Sequence, residues 1–548
     1  MMLRLAAFLV NLLAAASAPA QAPASPPKAL KSGAPSLVVV ISVDQFSADL
    51  FDEYRPHFTG GLARLANGTA FRNGYQAHAG TETCPGHSTI LTGSHPTHTG
   101  IIANTWVDQS IARSDKTVYC SEDERVPGSS TTDYTVSAMH LRVPTLGDLL
   151  KQQSPQSLNV AVAGKDRAAV MMGGHTVDQR WYWSGKGFAT DNKSAPVPAT
   201  ITRANASLAS VIATARPPLE SPPLCQGKAT PYVLSPELTV GAGRFQRAGG
   251  DVRAFRASPE YDGAVLAVAA GLVQEMKLGA DAAPDVLSIG LSATDYVGHG
   301  RGPGGEEMCL QLMSLDRDLA GFFQVLDAQG VDYAVVLTAD HGGMDIPERL
   351  RAKGVSSAVR ADPALGTADV GKMLAAKLGL TGPVLLGDLS SDIWIDRALK
   401  PEDRTRVEKE AVAYFKTHPQ VEAVFTKRQI ARMPLATSSP DKWSITDRVR
   451  ASYDAERTGD IYVVLKKYVS PIVKPGIGYA ATHGSVWDYD RRLPILIWRK
   501  GMRPNDRQDH ISTVNILPTV AAQLGLALPA KVDGRCLEGI EGVTCQVR

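Results

Sequence analysis

The stretch LVVVISVDQ, residues 37–45, decides the fold. Its β-branched and aliphatic residues run on without polar alternation, which is the pattern of a strand buried on both faces of a parallel sheet. The run ends at Asp44. Two later stretches repeat the design: VLSIGL at 286–291 leads into Asp295, and VVLT at 335–338 leads into Asp340 and His341. Three aspartates are thereby expected at the carboxyl ends of three strands, the edge at which open α/β sheets bind ligands.

Working outward, strand-like runs recur at Leu37–Val43, Leu158–Ala163, Val286–Leu291, Tyr333–Leu337 and Pro494–Trp498, with helical stretches such as Ala264–Lys277 and Met308–Gln329 between them. The alternation predicts an α/β fold: a mostly parallel sheet covered by helices on both faces, with inserted cap segments. The core spans 36–345 and 476–548. Two stretches break its rhythm. One, at about 121–263, is rich in Pro, Gly and Ser outside its own strand. The other, 346–475, has a helical run at Pro401–His418 and strand-like runs at Ser391–Asp396 and Asp460–Leu465, and reads as an inserted cap lobe.

At 548 residues the chain is long enough for more than one lobe. Its net charge of +2, with no basic block, gives no support for nucleic acid as an obligate partner. Residues 1–20 read as a signal peptide: Arg4, an apolar run from Leu5 to Ala16, then Ala18-Pro19-Ala20. That run is too short to span a bilayer comfortably. Residues 21–35 read as a flexible leader. The expected location is periplasmic or secreted, with no membrane span, and the expected state is a monomer. In an oxidising compartment the even count of six cysteines suggests disulfides. Cys536 and Cys545 are near enough in sequence to close a C-terminal loop. Spacing leaves the other pairings open; our reading is Cys84 with Cys120 and Cys225 with Cys309.

The candidate chemistry gathers on few residues. Asp44, Asp295, His299, Asp340, His341 and His483 offer carboxylates and imidazoles, a donor set that suits zinc. Asp295 and His299 are four apart and share a face if helical. At Asp340-His341 the adjacent side chains diverge unless the backbone turns, which Gly342-Gly343 permits. Thr83 precedes a helix that Pro85 can open, so its hydroxyl would stand at the positive end of a helix dipole, where phosphate binds. A plain helix cap is the alternative role for Thr83. Thr81 and Cys84 are rival nucleophiles, with His87 able to activate the latter. His78, His87, His95 and His98 are placed in loops or around the ligands, His87 least firmly. Lys165 and Arg167 follow a strand and can clamp phosphate oxygens, unless the turn is merely solvated. Asn104 can donate an amide hydrogen to the same oxygens.

The ordered set Asp44, Thr83-x-Pro-Gly-His, Asp295-x-x-x-His, Asp340-His-Gly and a late Thr-His483-Gly resembles the alkaline phosphatase superfamily, over nearly the whole chain that follows the leader. Thr83 with Asn104, Lys165 and Arg167 is similar to its periplasmic, phosphate-irrepressible, PafA-like phosphomonoesterases, which are related to nucleotide pyrophosphatase/phosphodiesterases. The resemblance implies two zinc ions per chain, one held by Asp295, His299 and His483, the other by Asp44, Asp340 and His341 with Thr83 beside it. It implies hydrolysis of small phosphate monoesters through a phosphothreonine on Thr83, with Asn104, Lys165 and Arg167 binding the phosphoryl oxygens. A nucleotide pyrophosphatase/phosphodiesterase is the rival reading. A non-catalytic zinc- or phosphate-binding protein is a lesser one. A sulfatase is disfavoured, since its motif places Cys or Ser where Thr83 stands and Arg where His87 stands.

Overall fold

A computed structural model describes residues 31–389 and 391–545. The strand Leu37–Val43 lies at the centre of a nine-stranded sheet, with Asp285–Leu291 parallel on one side and Tyr333–Thr338 parallel on the other. Every residue of these three strands is buried, which is why none alternates with polar residues. The strands also end level. Ser42 pairs with both Gly290 and Thr338, so the segments bearing Asp44, Asp295 and Asp340 leave the sheet together.

Beyond Asp285–Leu291 the sheet continues through Asn159–Ala163 and Gln179–Trp183, both parallel, to the short edge Phe188–Ala189. Beyond Tyr333–Thr338 come Arg492–Arg499, Thr69–Tyr75 and Asn505–Ser512. Antiparallel neighbours enter only where Arg492–Arg499 and Phe188–Ala189 join. Pro494, which has no N–H for the ladder, lies where the register with Thr69–Tyr75 shifts, between Leu493 and Ile495. The stretch 121–263 thus supplies three strands of the main sheet. Of these, Phe188–Ala189 is too short to stand out as a run, and Gln179–Trp183, reading QRWYW, lacks the aliphatic pattern that marked Asn159–Ala163.

Both faces of the sheet are covered. Val39, Ile41 and Val43 pack into a core with helices Pro259–Met276 and Glu306–Ala328, while Val38 and Val40 point the other way, toward helices Thr83–Thr92, Leu146–Gln153 and Ile516–Leu524. The stretch 346–475 builds its own antiparallel sheet in the order Leu385–Leu386, Asp392–Ile395, Ile461–Leu465, Val421–Thr426. Helices Thr367–Leu378 and Pro401–Thr417 contribute to a separate apolar cluster that includes Leu374, Val407, Phe415 and Val463.

The cysteines pair as Cys84–Cys120, Cys225–Cys309 and Cys536–Cys545. The expected signal peptide, 1–20, lies outside the described residues, as does the leader up to residue 30. Lys31 is tied to the fold by its N–H, which donates to the Leu524 carbonyl at 3.0 Å. Among the described residues no helix is long and apolar enough to cross a membrane.

Candidate metal centre

Asp44 stands one residue past its strand and Asp340 two past its own. Asp295 lies in the first turn of helix Ala293–Arg301, and the four-residue spacing brings His299 round to the same face. His483 arrives on an irregular segment, and its Nε2 lies 3.5 Å from Asp295 Oδ1, with His299 Nε2 at 3.3 Å from the same oxygen. Asp295, His299 and His483 form one group of possible ligands. Asp44, His87 and Asp340 form a second, fully buried one. His341 adjoins both: its Nε2 is 3.2 Å from Asp340 Oδ2, and its ring stacks on His483 at 3.5 Å between centroids.

The four imidazoles share one arrangement. Nδ1 of His87, His299, His341 and His483 lies 2.9, 2.9, 2.9 and 2.8 Å from the carbonyls of Thr83, Ala481, Gly342 and Thr81, respectively. A carbonyl can only accept, so Nδ1 carries a proton in each ring, and Nε2, facing the carboxylates, is the nitrogen that binds either a second proton or a metal ion. Opposite them Asp340 Oδ2, His87 Nε2 and His341 Nε2 are buried without a hydrogen-bond partner among the described residues, while Asp44 has Lys165 Nζ 3.0 Å from Oδ2 and His87 Nε2 3.3 Å from Oδ1. Buried acceptors left bare in this way are costly unless a cation meets them. The residues therefore fit divalent metal, and the mix of imidazole and carboxylate fits zinc.

The electrostatics agree. Burial alone would raise the Asp44 carboxyl, but Lys165 and His87 outweigh it and hold it well below the ordinary range. Asp295 is likewise held down, against burial, by Lys165 and His299. Burial opposes protonation of His341, yet Asp340 beside it lifts it to about 9. Burial and the neighbouring His341 push His483 down to about 4.

Thr83 sits in the first turn of helix Thr83–Thr92, which starts two residues before Pro85. The residue preceding the helix is Glu82, which makes no side-chain cap, so the hydroxyl of Thr83 is not spent on capping. Its recorded partner is Arg167, whose Nη2 lies 3.4 Å from Oγ1. Thr81 donates instead to the Ser485 carbonyl at 2.8 Å, and Cys84 is oxidised, so neither rival presents a free nucleophile. Lys165 precedes helix Asp166–Gly173 and is buried, with Nζ 3.0 Å from Asp44 Oδ2 and hydrogen-bonded to Asp295 Oδ2. It is not part of a solvated turn. Asn104 is pinned at both ends: its N–H donates to Glu82 Oε2 at 2.6 Å, and its Oδ1 accepts from the Cys84 N–H at 2.8 Å. With Oδ1 taken, its NH2 end is the one left to offer.

A model of the type I phosphodiesterase / nucleotide pyrophosphatase family matches residues 38–486. The chain belongs to this family, within the alkaline phosphatase superfamily. It is 50% identical over 514 residues to alkaline phosphatase PhoK of a Sphingomonas species, covering 93% of this chain and 92% of that one. It is 43% identical to alkaline phosphatase PhoD of Zymomonas mobilis, covering 93% and 90%. A crystal structure of alkaline phosphatase PafA superposes with a TM-score of 0.80 at 24% identity, covering 93% of this chain and 99% of that one, which shows the shared fold. The chain is thus an enzyme homologous to alkaline phosphatases throughout.

For a member of this superfamily, all ten residues singled out as ligands, nucleophile or clamp converge on one sheet edge. Two readings gain detail. His87, placed among surrounding residues, lies between the two carboxylates, with Nε2 3.3 Å from Asp44 Oδ1 and Nδ1 3.4 Å from Asp340 Oδ2. Its i, i+4 spacing from Thr83 on one helix was the available signal. Gly342 and Gly343 do not adopt a left-handed turn. A Cβ would fall 2.2 Å from the Tyr489 carbonyl at Gly342 and 2.8 Å from the Gln45 side chain at Gly343, so close approach is what requires glycine there.

Gln45 itself escaped the sequence reading. Its φ of +63° is unusual for a residue with a Cβ. The backbone N–H donates to Asp340 Oδ1 at 3.1 Å and Nε2 to Asp295 Oδ1 at 3.2 Å, so one residue ties together both groups of ligands. Gln45→Ala removes the second tie. Such outer contacts tune metal affinity by about 10–100-fold. The variant is therefore expected to bind a divalent metal that much more weakly in a buffered titration; an unchanged affinity would show the tie to be idle.

Proposed function

We propose that the protein is an exported, two-zinc alkaline phosphatase that hydrolyses small phosphate monoesters through a phosphothreonine on Thr83. The observation that carries this reading is the set of inward-facing Nε2 atoms and buried carboxylates, Asp340 Oδ2 without a partner, beside a Thr hydroxyl whose one hydrogen-bond partner among the described residues is Arg167. Asp295, His299 and His483 would hold one zinc. Asp44, Asp340 and His341 would hold the other together with Thr83, completing four ligands. Bound zinc supplies the positive charge that lets a hydroxyl ionise near neutral pH and offsets charge growing on the attacking and leaving oxygens. Export is supported by the leader sequence and by three disulfides.

The chain's own residues account for the rest. Thr83 attacks phosphorus in line with the ester oxygen, the P–O bond to the leaving group breaks, and the phosphoryl group rests on Thr83 until water displaces it. Arg167, the NH2 of Asn104 and the Lys165 ammonium stabilise the phosphoryl oxygens as charge builds on them. Asp166 steadies this arrangement. It accepts from Tyr119 Oη at 2.9 Å and Tyr134 Oη at 2.7 Å, and Tyr119 in turn receives Arg167 Nη1 at 3.3 Å.

A monoester dianion presents more charge to this clamp than a diester does. Lys165→Ala and Arg167→Ala are each expected to cost roughly ten- to hundredfold in kcat/KM for monoesters, from a charged hydrogen bond worth about 1.5–3 kcal/mol, and less for diesters. The two losses should not simply add, because both residues serve one phosphate. Equal loss on both substrates would point instead to a nucleotide pyrophosphatase/phosphodiesterase, the reading favoured by the description of the matching family model. The deciding experiment measures turnover of a phosphate monoester, a diester and a sulfate ester by the purified, zinc-loaded protein. Monoester preference is expected. Diester preference, or phosphate binding without turnover, overturns the proposal.

A further inference from the structure

A cleft of about 840 Å³ opens from His299, His483 and Asn104 and is walled on the far side by the 346–475 lobe. Its lining is unevenly composed. Tyr479, 49% exposed, stacks on the His299 ring at 5.5 Å and 28°. Trp106 and Trp394 also line it. Three acids belong to the same lining: Glu82 beside Asn104, and Asp388 and Asp392 from the lobe, Asp388 being exposed. Among the described lining residues there is no Lys or Arg.

Tyr479 is held where it is. The turn Gly476–Tyr479 is closed by two backbone hydrogen bonds, at 3.1 and 2.9 Å, with Gly478 at φ +81°. It exposes Ile477 as well as Tyr479, two of the few large apolar side chains that face water among the described residues. Tyr479 thus presents an exposed ring at the mouth of the cleft, on an ordered turn. The cations Lys165 and Arg167 lie outside this lining, beside Asp44, Asp295 and Thr83. The walls are aromatic and acidic.

Building on the proposed monoesterase, we propose that this cleft is a leaving-group subsite that selects flat, uncharged or cationic leaving groups and rejects those carrying a further anion. An aromatic leaving group stacks on Tyr479 beside His299. A cationic group gains from the ring faces and from Asp388. A second phosphate or a carboxylate meets Asp388 with no basic residue to offset it.

The test uses the zinc-loaded enzyme and phosphonates that cannot be hydrolysed, so that binding is read apart from chemistry. Competitive inhibition constants are compared for methylphosphonate, phenylphosphonate, and phenylphosphonates bearing a para-carboxylate or a para-trimethylammonium group. Phenylphosphonate is expected to bind about three- to tenfold tighter than methylphosphonate. The cationic compound should bind at least as well, and the carboxylate about three- to tenfold worse. Tyr479→Ala should shrink the phenyl-to-methyl ratio, and Asp388→Asn should shrink the penalty on the carboxylate. If the carboxylate binds as tightly as the unsubstituted phenyl compound, or neither variant moves its ratio, the subsite is overturned and the phosphatase reading stands. If methylphosphonate does not inhibit and monoesters are not turned over, both fall.

Discussion

Thr83→Ala is expected to lose about 10⁴-fold or more in turnover while keeping its zinc, the scale on which deleting a covalent nucleophile acts. Little else should change. The side chain is small, it does not cap its helix, and its recorded contact is the 3.4 Å approach of Arg167. No neighbour can stand in. Thr81 is committed to the Ser485 carbonyl, Ser88 to the Pro85 carbonyl at 2.8 Å, and Cys84 to Cys120. Thr83→Ser should retain part of the activity, since it keeps a hydroxyl, whereas Thr81→Ala should stay active. Acid quench during turnover, followed by mass spectrometry, should find phosphate on the peptide containing Thr83. A dead Thr81→Ala beside an active Thr83→Ala would move the nucleophile two residues back.

The buried parallel strands were legible because burial on both faces removes polar residues altogether. Leu37–Val43 stands out from the sequence for the same reason that it lies at the centre of the sheet. Asp44, Asp295 and Asp340 were legible as candidate ligands because each follows such a run at short distance, whereas His483 stands on an irregular segment and was marked by its Thr-His-Gly motif. Edge strands were not. Asn505–Ser512 reads NDRQDHIS and is mostly exposed or half-exposed, and its pairing with Thr69–Tyr75 comes from tertiary contact rather than from any pattern of its own. Gln45 was hidden for a different reason: its importance lies in two hydrogen bonds to residues 250 and 295 positions away, for which no local spacing exists. His87 falls between these cases. The helix put it on the face of Thr83, but only the sheet register brought Asp44 and Asp340 to either side of it.

The proposed function predicts two zinc ions per chain, and their removal should destabilise the protein as well as silence it. Asp44, Asp295 and Asp340 are buried, and the buried cation beside two of them is the single ammonium of Lys165. Uncompensated carboxylates in such a setting oppose folding. A ligand present at 1,000 times its dissociation constant stabilises the folded state by about 4 kcal/mol per site. Stripping both sites should therefore lower Tm by roughly 10 °C, given the few degrees per kcal/mol typical of domains and less for large cores. His341 and His87 then separate by number rather than by activity. Asp44, Asp340, His341 and Thr83 already make four ligands, so His341→Ala should cost about one equivalent of zinc. His87 would instead steady the two carboxylates, and His87→Ala should keep both equivalents with about 10–100-fold weaker affinity. Elemental analysis after dialysis against buffered zinc reads both outcomes. Loss of a full equivalent in His87→Ala but not in His341→Ala would exchange their roles, and a metal-free protein with unchanged Tm and full turnover would end the two-zinc reading.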